Sequence, residues 1–411
     1  MTGPGTAPAR GRTRSSQAPA RLQGIDGARG LALLGMMATH LMATFSADST
    51  LTPTWVGLTF SGRSAALFAV LAGVGLALST GRTRPPSGPE LWAHRRGIAA
   101  RAAVIGAVGL LLGGLEVNVA VILVHYAVLF LCVLPFIGLR LPVLCAWAAG
   151  WVLLSPVLGY LIRPWFLDPL PPLQLGHNPS IEDFQTPAAL VADIFVTGYY
   201  PVLQWLSYLL IGLAIGRLAL TTAGVQLLLV TGGAAVAATA KVMGVLAIDE
   251  WGGREALLAT RDSHSYPLDS LLQVNLAGVD QTGSWWWLAT SAPHSGTTLD
   301  LLHTSGVAAA VIGLCLLVGR LSDWLGLRLL LPFSGPGAMT LTLYSVHVWA
   351  VAATYKRPLP SGWTPEGLYL AHAFLAIGIG MLFSVLGWRG PLEWLAHAAS
   401  SLARNPRGGV R

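Results

Sequence analysis

Apolar residues in this chain come in long runs, not in the short amphipathic stretches of a soluble fold. Ten runs, at 30–46, 60–80, 98–115, 119–138, 142–162, 197–219, 223–247, 299–319, 330–353 and 367–388, approach the length of a membrane-crossing helix. A hydrocarbon core about 30 Å thick needs about 20 such residues. A shorter apolar piece, 187–196, fits a re-entrant or interfacial segment. The pattern predicts an all-α fold: a polytopic integral membrane bundle of about ten transmembrane helices. It divides the chain into a disordered tail at 1–21, one membrane domain at 22–397 and a second tail at 398–411. Two long segments, 163–190 and 248–298, interrupt the domain as loops.

Composition supports this reading. Of 411 residues 54% are hydrophobic and 10% charged, with a mean hydropathy of +0.62. Soluble domains carry about 25% charged residues, so an ordinary globular enzyme is excluded. A net charge of +7 would suggest nucleic acid in a soluble protein. Here the charges sit between apolar runs, which points to membrane lipids as neighbours and to no nucleic acid. The first 21 residues have no apolar core that a signal peptidase could use. Cys132, Cys145 and Cys315 lie inside apolar runs and define neither a disulfide framework nor a metal site. Arg outnumbers Lys 23 to 2, a bias that suggests a high-GC bacterial genome and hence a bacterial inner membrane.

Basic residues concentrate on cytoplasmic loops. With ten spans and a cytoplasmic N-terminus, 18 of the 25 Lys and Arg residues fall inside, whereas of the 18 acidic residues only Asp26, Glu90, Asp323 and Glu393 do. Both termini are therefore expected in the cytoplasm, and 163–190 and 248–298 outside it. The outer loops carry Trp285, Trp286 and Trp287, with Trp165, Tyr199, Tyr200, Trp205, Trp251 and Trp363 near the same rim. These fit either an interfacial aromatic belt or a platform for stacking on a sugar ring.

Ionisable side chains inside spans are costly and by default mark function. His40, His125 and His347 each lie six residues from the outer end of a run, about 9 Å deep at 1.5 Å per residue. Arg63 and His303 sit somewhat shallower. The three histidines are expected to line one cavity open to the outer side. Thr340, Tyr344 and His347, spaced i, i+4, i+7, share the helical face expected to look into it. A histidine in a partly dehydrated cavity can act as the general base of acyl transfer. Arg63 could pair with Asp48, hold a phosphate or snorkel to the interface. His294, Asp300 and His303 offer metal-ligand atoms, but without close zinc-motif spacing no metal is expected. No G-x-S-x-G elbow is present. On the inner side Arg82, Arg84, Arg95, Arg96 and Arg101 form a basic loop suited to the phosphates of a coenzyme, or set there by topology alone.

Several stretches resemble a known family. They are Arg21-Leu22-Gln23-Gly24-Ile25-Asp26-Gly27-Ala28-Arg29-Gly30 running on to Met36, Gly62-Arg63-Ser64-Ala65-Ala66-Leu67-Phe68, Val121-Ile122-Leu123-Val124-His125-Tyr126, and Tyr200-Pro201 to Gly216-Arg217. Leu343-Tyr344-Ser345-Val346-His347 and Gly390-Pro391-Leu392-Glu393-Trp394-Leu395 extend the likeness. Together they resemble the heparan-alpha-glucosaminide N-acetyltransferase-like family and the related YeiB-like proteins. The resemblance implies a transmembrane acyltransferase fold that moves an acetyl group from cytoplasmic acetyl-CoA to an amine or hydroxyl, often on a sugar, at the far face. It implies a structural ion pair between Asp26 and Arg29 and matches His347 to a histidine of the acetyltransferases. The family's catalytic histidine stands three residues before a Trp. Here Trp55-Val56-Gly57 matches that tripeptide, and Thr52 occupies the histidine position. A family Asn at the end of the first span matches His40. Two readings stay open: the base has moved to His40, or acetyl transfer has been lost.

The sequence is thus read as a membrane acyltransferase with acetyl-CoA as donor. His40 would be the base, His347 and His125 would orient or polarise the acyl carbonyl, and Arg63 would stabilise developing negative charge. His303, Asp300, Tyr344, Trp55 and Asp48 would meet an extracytoplasmic, sugar-containing or other small acceptor, while Arg82, Arg84, Arg95 and Arg96 would meet the coenzyme. A homo-oligomer is compatible with this reading. The alternatives are a small-molecule or lipid transporter using the same cavity, and an inactive scaffold.

Overall fold

In a computed structural model that describes residues 22–167, 177–260, 266–276, 279–358 and 361–405, the apolar runs become helices. In chain order these are α1 (Gln23–Leu41), α2 (Trp55–Phe60), α3 (Arg63–Ser79), α4 (Gly88–Gly113), α5 (Leu123–Cys132), α6 (Leu141–Leu167), α7 (Pro187–Ala192) and α8 (Val202–Gly216). They continue as α9 (Ala223–Asp249), α10 (Gly253–Thr260), α11 (Leu268–Val274), α12 (Thr298–Leu325), α13 (Leu331–Gly337), α14 (Thr340–Thr354), α15 (Pro365–Leu386) and α16 (Pro391–Arg404). Among the described residues there is no β-strand, only one isolated bridge between Phe45 and Pro53. The tail at 1–21 and the last residues of the second tail, 406–411, lie outside the described residues, as do 168–176, 261–265, 277–278 and 359–360 within the loops.

Local chemistry sets several of these boundaries. The side chain of Thr297 accepts from the backbone N–H of Asp300 and caps the start of α12. Its end is closed by Gly326 in the left-handed conformation, φ +64°. Pro201 excludes helix from the residue before it, so the chain breaks between a π-helical turn at Asp193–Thr197 and α8. The two halves are bent by 50°, a geometry that fits a broken span or the expected re-entrant segment 187–196.

Six described helical stretches are long and apolar enough to cross a membrane, and a seventh if the bent pair counts as one span. They are Trp55–Ser79, Gly88–Gly113, Leu141–Leu167, Ala223–Asp249, Thr298–Leu325 and Pro365–Leu386. This is a helical membrane protein; among the described residues the runs at 30–46, 119–138 and 330–353 do not form helices of that combined length and apolarity. For the last two the reason is local. Run 119–138 begins with four residues whose backbone is held by side chains from elsewhere, and Pro135 follows its end, so α5 has only 10 residues. Run 330–353 is split between α13 and α14, each too short to span.

α1 sits at the centre, packed against α3, α12 and α13, whereas α15, 17% buried over its most apolar stretch, lies at the periphery. α9 packs on α12 through facing glycines. A Cβ added at Gly306 would come within 2.6 Å of the Gly233 carbonyl oxygen, and one at Gly233 equally close to that of Gly306. Small residues let membrane helices approach this closely. The described residues of the segment 248–298, expected as a long loop, fold as a cap with its own core of Ile248, Leu257, Leu268, Leu271, Leu276, Val279, Trp287 and Ala292.

Candidate active site

The end of the bundle where α1 finishes holds a cavity of about 480 Å³. Met36, Thr39 and His40 of α1 line it, with Phe60, Ser61, Gly62, Ser64 and Ala65 around the α2–α3 junction, Asn118 to Ala120, Tyr199, Tyr200, Asn275 and His294. Each wall has a structural cause. The break before Pro201 turns Tyr199 and Tyr200 inward. Asn178 donates from Nδ2 to the Val119 carbonyl and accepts at Oδ1 from the Val121 N–H, which holds 119–121 out of helix. Tyr344 Oη donates to the Ala120 carbonyl at 3.3 Å and accepts from the Ile122 N–H at 3.4 Å. Asn275 Nδ2 donates to Tyr199 Oη at 2.9 Å.

Of the three histidines expected to share the cavity, only His40 lines it. His347 lies behind His40, 2% exposed, with its Nε2 3.2 Å from His40 Nδ1 and the two rings stacked at 5.3 Å. His125 sits behind Tyr200, edge-on to that ring at 5.7 Å, and neither of its ring nitrogens has a hydrogen-bond partner among the described residues. The common depth read from the sequence therefore does not make a common lining. The Thr340–Tyr344–His347 face is likewise occupied by protein contacts: Tyr344 meets 120–122 and His347 meets His40.

Arg63 does not pair with Asp48. Its Nη1 donates to the Leu58 carbonyl at 2.8 Å, and its charge acts on buried Asp300 together with that of Lys241. Asp48 lies in the exposed 43–54 loop, where the hydroxyls of Thr50 and Ser46 hold its carboxyl below the usual carboxylate range. Asp300 accepts from the Gly296 N–H at 3.1 Å, and its other oxygen has no hydrogen-bond partner among the described residues. His303 Nδ1 lies 2.9 Å from the Ala237 carbonyl, which can only accept; this fixes the proton on Nδ1 and leaves a buried, lone-pair Nε2. Arg63, Lys241, Asp300 and His303 thus form a second polar group that does not line the cavity. Trp55 is 60% exposed, edge-on to Phe60, and outside the lining. The three consecutive tryptophans build no stacking platform in the cavity: Trp287 belongs to the cap core and Trp285 packs on Tyr160.

At the opposite end of the bundle, Arg95 and Arg96 flank a groove of about 440 Å³ with Trp92, Leu131, Leu134 and Pro135. Arg95 donates to the carbonyls of Leu134 and Pro135 and Arg96 to that of Ala403. Arg84 is exposed and Arg82 half-buried, and neither joins that groove.

The structure adds two functional candidates. His372 of α15 meets His347, Nδ1 to Nδ1 at 2.9 Å. His294, considered from sequence only as a metal ligand, lines the cavity instead. Among the described residues no group of three His, Cys, Asp or Glu side chains is placed to hold a metal ion.

A helical membrane protein with a partly polar cavity at one end and an arginine-flanked groove at the other is the class this architecture defines. Residues 21–247, more than half of the chain, match the family model of the heparan-alpha-glucosaminide N-acetyltransferase catalytic domain. The chain belongs to that family of membrane acetyltransferases. No curated protein gives a significant match to it.

Proposed function

We propose that this protein is a membrane acyltransferase that takes an acetyl group from acetyl-CoA and delivers it to an amine or hydroxyl bound in the cavity. The carrying observation is His40: it lines the cavity, its Nδ1 is engaged by buried His347, and its Nε2 makes no hydrogen bond among the described residues. A histidine so held presents one basic nitrogen to an acceptor and cannot swing away. The acceptor is of extracytoplasmic, sugar-like or other small polar chemistry, for which Asn118, Asn275, Thr39 and the tyrosines supply hydrogen bonds and ring faces. Both termini face the cytoplasm of a bacterial cell in this reading, which sets Arg95 and Arg96 on the side of the coenzyme, whose phosphates they hold.

Loss of the family histidine at Thr52 fits this site. Thr52 is exposed, bonds to Ser46, and lies outside the cavity lining, so a base there would be remote from the bound acceptor. His40 takes its role.

The test is release of CoA from acetyl-CoA by the detergent-purified protein, with candidate amines and sugars as acceptors. General-base loss costs about 10²–10⁴ in rate, so His40→Ala should fall by that range with binding of acetyl-CoA retained. If no acyl-CoA binds and solute uptake into proteoliposomes instead follows a proton gradient, the cavity belongs to a transporter.

A further inference from the structure

His40, His347 and His372 form one continuous chain of imidazoles. His40 Nδ1 meets His347 Nε2 at 3.2 Å, and His347 Nδ1 meets His372 Nδ1 at 2.9 Å. The middle ring is the informative one: it is 2% exposed and uses both nitrogens, one on each neighbour. The chain begins at the cavity wall on α1, crosses α14 and ends on half-buried His372 in α15, the most peripheral of the long helices. His372 stands seven residues from Pro365, about 10 Å along the helix from its first turn.

From this geometry we infer that the three imidazoles are a proton relay that connects the cavity to the periphery of the bundle through α14 and α15. The inference rests on the general-base reading of His40 for its direction, but the wire itself is a matter of geometry. Its resting arrangement is the tautomer in which His40 Nδ1–H donates to His347 Nε2 and His347 Nδ1–H donates to His372 Nδ1. His40 Nε2 is then a free base. When it takes the proton of an acceptor hydroxyl or amine, the Nδ1 proton of His40 moves to His347 Nε2. The Nδ1 proton of His347 moves on to His372 Nδ1. One proton enters at His40 and one positive charge appears at His372, which releases its Nε2 proton to water or buffer. The two inner rings end neutral, so no imidazolium remains in the bundle interior, where an unpaired charge is costly.

A merely structural His372 would pack α15 on α14 and do nothing else. The discriminating experiment is chemical rescue on the full-length protein. His372→Ala should slow CoA release about tenfold or more at low buffer concentration, with the KM for acetyl-CoA unchanged. Added imidazole should restore the rate in proportion to its concentration and leave the wild type unaffected. A His372→Ala protein that keeps the wild-type rate, or loses it with no response to imidazole, overturns the relay.

A second readout needs no turnover. In protein labelled with nitrogen-15 histidine, His372→Ala should move the ring-nitrogen signals of both His347 and His40, because each tautomer is set by the next. Unmoved His40 signals overturn the relay whatever the activity. If the signals move but the wild type releases no CoA, the acyltransferase reading fails and the proton pathway stands.

Discussion

The imidazole of His294 lies nearly parallel to the indole of Trp205, with ring centroids 6.2 Å apart and planes 21° apart. It reaches that position from a left-handed backbone, φ +61°, in the loop that leads into α12. Tyr199 at 4.7 Å and Tyr200 at 5.8 Å complete an aromatic enclosure around it, and its Nδ1 has no hydrogen-bond partner among the described residues. Burial in this enclosure disfavours the imidazolium and lowers the pKa of His294 from 6.5 to about 4.

A pH dependence of stability follows. Above pH 6.5 His294 is neutral folded and unfolded, and contributes no slope. Between 6.5 and about 4 the unfolded chain binds a proton that the folded protein refuses, so stability falls as the pH falls. The loss attributable to this group approaches about 3 kcal/mol at the acid end. The apparent melting temperature in detergent, followed from pH 7 to pH 4, should drop less steeply in His294→Gln than in the wild type. Equal slopes would place a charge-tolerant partner at the ring.

Arg217 ties three elements together at the opposite end. Its guanidinium, 4% exposed, donates to the carbonyls of Thr80 and Arg82 after α3 and to that of Ile137 before α6, at 2.7–2.8 Å. Arg217→Ala strands these acceptors, and the expected loss is about 3 kcal/mol. Lysine keeps the charge but not the planar fork, so Arg217→Lys should recover only part of it. Chemical denaturation of the three proteins side by side checks the order.

Gly306 and Gly233 allow α12 and α9 to touch backbone to backbone. Because the nearest atom to an added Cβ is a carbonyl oxygen and not a flexible side chain, Gly306→Ala forces the helices apart. Overpacking of this kind costs about 1–3 kcal/mol. A thermal shift assay on Gly306→Ala should show the loss, whereas Gly378→Ala on α15, where nothing lies within 4 Å, should not.

These sites show where the sequence could be read and where it could not. The apolar runs locate almost every long helix, because burial in lipid and burial in protein both demand apolar residues. That same equivalence hides the difference between a full-length span and a short apolar helix such as α5 or α14. The Asp26–Arg29 pair, implied by the family resemblance of the entry motif, forms within one turn of α1, where the two side chains meet at 3.0 Å. His372 was not legible, because nothing near it in the chain announces His347, 25 positions earlier. Lys241 was overlooked for a similar reason, its influence on Asp300 arising from the packing of α9 on α12. The cavity role of His294 depends on a left-handed residue in a loop, a feature that no periodicity records.

Thr52 and His40 give the sharpest test of where the base resides. Thr52 occupies the position of the family histidine, yet its hydroxyl is turned to Ser46 Oγ at 3.1 Å in an exposed loop, and its N–H donates to the same oxygen at 2.8 Å. His40 lies on α1 against the cavity, braced by His347. Thr52→Ala removes one exposed hydrogen bond, and surface changes of this kind stay within about 0.5 kcal/mol of the wild type. It should therefore leave CoA release and melting temperature close to wild type, while His40→Gln, which keeps a polar side chain of similar reach but no basic nitrogen, should lose turnover without losing the fold. A Thr52→Ala protein that fails in turnover while His40→Gln retains it would return the chemistry to the loop and reduce His40 to a packing residue.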